Sequence, residues 1–140
     1  MLTRQHLAIP RCDLALGIKI LCTHSSVTFR HGSYRQVLCC IAYHIRGAGL
    51  RCLDAFAGAG ALGFEAVSRG ASAVTLVERD KTAFATLRAN LSDLQSFPID
   101  ASVKLVHGDG IGFLKRQANA SWDLVFLDPP FDDLVALASS

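Results

Sequence analysis

The chain has 140 residues, of which 51% are apolar and 19% charged, with a formal net charge of +2. That is enough chain for one domain with a genuine core and too little for two, and the apolar share excludes a disordered polymer. No apolar run approaches the roughly 20 residues needed to span a bilayer as a helix.

The charge is unevenly spread. Residues 1–51 carry a net +6 and residues 52–140 a net −4. A basic arm on an acidic half suits a nucleic-acid partner, because Lys and Arg neutralise phosphates, although a merely solvated basic surface has the same composition. The five cysteines (Cys12, Cys22, Cys39, Cys40, Cys52) include no C-x-x-C pair and are odd in number. They read as reduced thiols, with neither a disulfide framework nor a metal site expected. No cleavable leader is read at the N-terminus, which predicts a cytoplasmic protein.

Residues 1–32 form a basic N-terminal segment with little pattern, apart from a candidate strand in 14–22 and a short one at Val27-Thr28-Phe29. Ser33 is placed to cap a helix with Val37, Leu38, Ile41, Ala42 and Ile45 on one face, closed by Gly47 and Gly49. From there strands and helices alternate. Strands are expected at 51–55, 73–78, 102–107 and 122–128, with helices at 61–69, from Asp80 to about Leu94, and at 110–117. This alternation predicts an α/β fold, a Rossmann-like parallel sheet of about four strands with right-handed crossovers. Ligands of such sheets bind at the carboxyl ends of the strands.

The first of these strands runs into Asp54-Ala-Phe56-Ala-Gly58-Ala-Gly60-Ala-Leu-Gly63. Gly58 and Gly60 permit a tight turn close to a ligand, and Gly63 permits close helix–strand packing. Gly58-x-Gly60-x-x-Gly63 fits the dinucleotide fingerprint, with Glu78 at a suitable distance to hold a ribose. Asp54 argues against that reading, since a carboxylate aimed at the turn repels a pyrophosphate and suits a cation or an amine. The stretch resembles the first motif of S-adenosylmethionine (SAM) dependent methyltransferases, whose cofactor carries both a sulfonium and an amine.

Every strand tip bears a functional group: Asp54, Glu78, Asp109 and Asp128-Pro129-Pro130-Phe131. Glu78 can accept from both ribose hydroxyls, and Asp109 from an adenine amino group. An acid at a strand tip can equally be a helix cap. The two prolines fix an extended tip without N–H groups and leave its carbonyls free to accept. Asp128 adds a side-chain acceptor and Phe131 a flat face on which a base can stack. Such a tip can hold an exocyclic amine with its lone pair turned toward an electrophilic methyl.

From Arg51 to Phe131 the chain resembles the bacterial family that methylates guanine N2 in 16S rRNA, a class I SAM-dependent methyltransferase. The resemblance lies in C-L-D-A-F-A-G-A-G-A-L-G-F-E-A-V-S-R-G-A, T-L-V-E-R-D and D-L-V-F-L-D-P-P-F. It implies a SAM site made by Asp54, Phe56, Gly58, Gly60, Glu78 and Asp109. It also implies a catalytic tip of Asp128, Pro129, Pro130 and Phe131 facing a guanine of 16S rRNA or of a small-subunit assembly intermediate. Residues 33–140 would be the methyltransferase domain. Amine methyltransferases of DNA adenine or protein glutamine share the tip, so it specifies the reaction rather than the substrate. The family's sheet has seven strands, whereas four are read here. The strand at 122–128 is therefore expected to have a bare edge, in a C-terminally truncated chain that is unstable or partner-dependent, or in a remnant that at most binds SAM.

Overall fold

A computed structural model describes residues 11–13, 19–22, 49–117 and 122–127. The strands are β1 (Arg11–Asp13), β2 (Lys19–Cys22), β3 (Arg51–Asp54), β4 (Ala73–Glu78), β5 (Ser102–His107) and β6 (Leu124–Leu127). The helices are α1 (Ala61–Ser68), α2 (Lys81–Leu94) and α3 (Gly110–Arg116). The helix expected from Ser33 and the short strand at residues 27–29 lie outside the described residues.

The six strands form one sheet in the order β1-β2-β6-β3-β4-β5. The four expected strands are β3, β4, β5 and β6, all mutually parallel, with three helices following the first three of them. Parallel strands with covered faces read as continuous apolar runs. In β4, Val74, Thr75, Leu76 and Val77 are all buried. One core cluster gathers Cys52, Ala66, Val67, Val74, Leu76, Leu87, Leu124 and Phe126; a second gathers Leu53, Val77, Phe113 and Val125. Alternate residues of β3, β4 and β6 divide between the two clusters, as the two-residue period of a strand requires.

Local chemistry sets the helix starts. The Asp80 carboxylate accepts from the Ala83 N–H at 2.7 Å and caps α2, whose Leu87 is fully buried while Phe84 and Leu94 pack partly buried on the core. Helix α1 lies so close to β4 that a Cβ on Gly63 would collide with Leu76. This close approach realises the packing role expected of that glycine.

The edge of β6 expected to be bare is filled. Strand β2 runs parallel to β6 with Lys19 opposite Leu124 and Cys22 opposite Leu127. Strand β1 then pairs antiparallel with β2. The N-terminal segment thus supplies the cover that the strand count alone did not provide, and β6 lies inside the sheet, where its apolar sequence belongs. β6 also begins two residues later than expected. The Asp123 carboxylate there accepts from the Arg51 N–H at 2.8 Å, and the Arg51 guanidinium lies 5.8 Å from the Trp122 ring centre.

This packing can be tested by substitution. Gly63→Val should destabilise the fold by about 1–3 kcal/mol in urea denaturation, because the added side chain has only Leu76 and Val74 to displace. Successive N–H groups of β2 point alternately to β6 and to β1. One of Ile20→Pro and Leu21→Pro should therefore remove a bond to β6 and cost about 1–3 kcal/mol. Equal stability of both variants and the parent would show that β2 does not close that edge.

Candidate active site

After β5 the chain crosses to the far side of β3, so the order reverses between β3 and β6. Asp54 ends β3 at that reversal, in the position where open α/β sheets bind ligands. It is only 1% exposed. Its Oδ1 lies 3.4 Å from the Phe56 N–H, a weak contact that turns the carboxylate back over the start of the loop.

The turn itself is held by a series of directed bonds. The Ala55 N–H donates to the Phe126 carbonyl, the Ala57 N–H to that of Val77 at 2.9 Å, and the Gly60 N–H to that of Ala57 at 2.8 Å. Gly58 and Gly60 have φ of +55° and +98°, so both occupy the left-handed region that side chains disfavour. A Cβ on Gly60 would also press on Phe64 and Leu87. Gly60 is the N-cap residue of α1, and no side chain caps the helix there. The first-turn N–H groups of α1 are thus available to an anionic or carboxylate group of a ligand.

Glu78, at the tip of β4, bridges two backbones. Its Oε2 accepts from the Gly58 N–H at 2.7 Å and its Oε1 from the Asp80 N–H at 2.9 Å. A carboxylate has about four acceptor positions, so each oxygen retains one for a ligand hydroxyl. Asp109 takes the helix-cap role that the sequence left open. Its Oδ2 accepts from the Gly112 N–H at 2.7 Å and starts α3.

Asp54, Phe56, Gly58, Gly60, Glu78 and Asp109 therefore gather along the carboxyl ends of β3, β4 and β5. Asp128, Pro129, Pro130 and Phe131 lie outside the described residues; they directly follow β6, which ends beside the end of β3.

Three contributors escaped the sequence reading. Gly110 approaches β3 so closely that a Cβ would collide with the Ala55 carbonyl. His107 stacks on Phe84, ring centres 4.8 Å apart, and its Nε2 lies 3.0 Å from the Arg79 carbonyl, steadying the segment after Glu78. Asn90 of α2 donates its Nδ2 to the Ala59 carbonyl at 2.8 Å. Only Gly110 carried a sequence signal, as a glycine immediately after a strand-tip acid.

The Cys52 thiol beneath this edge has its pKa pushed up to about 12, first by burial and then by the Asp123 carboxylate. It is not a nucleophile at neutral pH. A depression of about 440 Å³, lined by Val67, Ala71, Pro98 and Ile99 among others, lies at the opposite end of the strands, away from Asp54, Glu78 and Asp109. Among the described residues no cluster of His, Cys, Asp or Glu could hold a metal ion, and no helix is long and apolar enough to cross a membrane.

Comparison with known proteins places the chain in a family and a fold. The model of the family described as "Conserved hypothetical protein 95" matches residues 35–139, three quarters of the chain. The chain belongs to this family of SAM-dependent methyltransferases. Ribosomal RNA small subunit methyltransferase D of Haemophilus influenzae is 48% identical over 81 residues, covering 57% of this chain and 41% of its own length. The protein of the same name from Escherichia coli K12 is 41% identical over 81 residues, covering 58% and 38%. The chain thus spans about 40% of the length of the curated relatives it matches. Among solved structures, HI0767 of Haemophilus influenzae superposes with a TM-score of 0.56 at 34% identity over 76% of this chain and 68% of that one. A SAM-dependent methyltransferase of Agrobacterium tumefaciens shares the fold, with a TM-score of 0.56 at 20% identity over 70% of this chain and 30% of its own.

Two measurements check this account of the site. In alkylation of the native chain at pH 8 followed by peptide mapping, Cys52 should remain unmodified until the protein is unfolded. Gly110→Ala should displace the end of β3 and lower the denaturation midpoint, with a cost of about 1–3 kcal/mol.

Proposed function

We propose that this protein transfers the methyl group of SAM to the exocyclic N2 of a guanine in 16S rRNA, in the cytoplasm. The observation that carries the reading is the buried Asp54 carboxylate beside a glycine turn whose helix end has no side-chain cap. A carboxylate and open backbone N–H groups side by side match a ligand that carries both a cationic amine and a carboxylate. A pyrophosphate would meet Asp54 as a like charge, which disfavours a nicotinamide cofactor. The names of the relatives point to ribosomal RNA of the small subunit as substrate.

In this reading Asp54, Phe56, Gly58 and Gly60 receive the amino-acid end of the cofactor. Glu78 accepts from the ribose hydroxyls through the acceptor positions it retains. Asp109 presents its second carboxylate oxygen to the adenine amine while its first keeps α3 capped. SAM, when bound, supplies an electrophilic methyl on a sulfonium. Asp128 and the Pro129 carbonyl hold the N–H groups of the target amine, Pro130 stiffens the tip, and Phe131 stacks on the base. A nitrogen so held would have its lone pair turned to the methyl; as the C–N bond formed the methyl–sulfur bond would break, leaving a neutral thioether, and the nitrogen would shed a proton to Asp128 or to water. Catalysis then comes from positioning and electrostatics, without a covalent enzyme intermediate. In this proposal residues 33–140 carry the methyltransferase machinery, β1 and β2 of the preceding segment complete its sheet, and the basic side chains of that segment contact the RNA phosphates.

Calorimetric titration with SAM tests the cofactor assignment. The parent chain should bind, and Asp54→Ala should bind about ten- to a hundredfold more weakly, the loss expected for a hydrogen bond to a charged group. Methyl transfer from labelled SAM to 16S rRNA tests the substrate. Binding without transfer would favour a remnant that holds the cofactor only, and binding of NAD in place of SAM would overturn the assignment.

A further inference from the structure

The glycine turn is gripped from both sides, and the sequence pointed to only one of the two residues that hold it. On one side Glu78 accepts from the Gly58 N–H at 2.7 Å; on the other the Asn90 Nδ2 donates to the Ala59 carbonyl at 2.8 Å. A carbonyl can only accept, so the amide nitrogen of Asn90, and not its oxygen, must face it. The two grips are linked through the fold. Glu78 accepts from the Asp80 N–H, Asp80 caps α2, and α2 carries Asn90 ten residues on, roughly 15 Å along its axis at the helical rise. Leu87, three residues before Asn90 and therefore on the same helix face, is fully buried where a Cβ of Gly60 would meet it. Helix α2 thus rests on the turn through one apolar and one polar contact.

Asn is a poor residue for a helix interior, and its side chain is equally soluble pointing into water. Its place here is accounted for by the bond it makes. Ala59 lies between two glycines in left-handed conformations, the most freely rotating stretch of the site. Without a restraint on the Ala59 carbonyl, the peptide units on either side can rotate, and the N–H groups that face a ligand rotate with them.

We infer that Asn90 is a positioning residue that locks Gly58-Ala59-Gly60 in its ligand-ready shape before the cofactor arrives. Its side-chain nitrogen is committed to the Ala59 carbonyl. It acts by making the turn rigid in advance, so that binding does not have to order it. The expected effect on SAM affinity rests on the function proposed above, whereas the effect on the rigidity of the turn does not.

Two variants and two readouts test the inference. Asn90→Asp keeps the shape but sets a carboxylate against a carbonyl; Asn90→Ala removes the bond while improving helix propensity. Hydrogen exchange of the ligand-free chain should show the amides of residues 57–60 exchanging at least about tenfold faster in both variants, with β4 and β5 unchanged. A merely structural role would instead change exchange across the whole sheet, or leave Asn90→Ala no looser than the parent. SAM titration should show weaker binding by about tenfold in both, at an unchanged thermal midpoint for Asn90→Ala. Unaltered exchange at 57–60 in both variants overturns the inference. Accelerated exchange in the variants, alongside a parent chain that does not bind SAM, would uphold the clamp and refute the cofactor assignment.

Discussion

The hydrogen bond from the Gly58 N–H to Glu78 Oε2 joins the two strands on which the site depends. β3 delivers Asp54 and the turn, while β4 delivers the carboxylate that fixes where the turn stops. A main-chain donor and a charged acceptor at 2.7 Å make a strong, directional contact. Glu78 uses its second oxygen on the Asp80 N–H, so one side chain sets the glycine turn and the approach to α2 together. Placement of the turn therefore depends less on the glycines, which only permit the conformation, than on the acid that selects it.

Around that contact the packing leaves little freedom. Gly63 lets α1 press on β4, and Gly110 lets α3 press on the end of β3. The body of the same strands is filled by Cys52, Leu53, Val74 and Leu76, all buried. A rigid base beneath the rim holds the glycine turn and the carboxylates of Asp54, Glu78 and Asp109 in fixed relation.

What could be read from the sequence was local. The ends of β4, β5 and α2 agreed with expectation because caps and breakers act within a few residues: Asp80 and Asp109 accept from the N–H three positions on. The positive φ at Gly58 and Gly60 was legible for the same reason, and so was the glycine between α1 and β4. Partners distant in sequence were not. Asn90 meets a carbonyl 31 residues away, and nothing in the pattern of α2 distinguishes it from a solvated polar residue. The pairing of β2 with β6 was missed because a strand of four residues does not announce which edge it will cover. The expectation of a bare β6 followed from counting strands after Phe131 and ignoring those before Arg51.

That pairing also bears on how the protein is made. β6 slots between β2 and β3, two strands that both precede it, and Lys19 meets Leu124 only after nearly all of the described chain has been synthesised. Until then β3, β4 and β5 can assemble, while β2 and β3 each keep an unpaired edge that β6 will later occupy. Closure between such remote segments is entropically slow, and open apolar edges are the surfaces through which nascent chains associate. β6 acts as a keystone, and until it arrives the edges of β2 and β3 stay open to association.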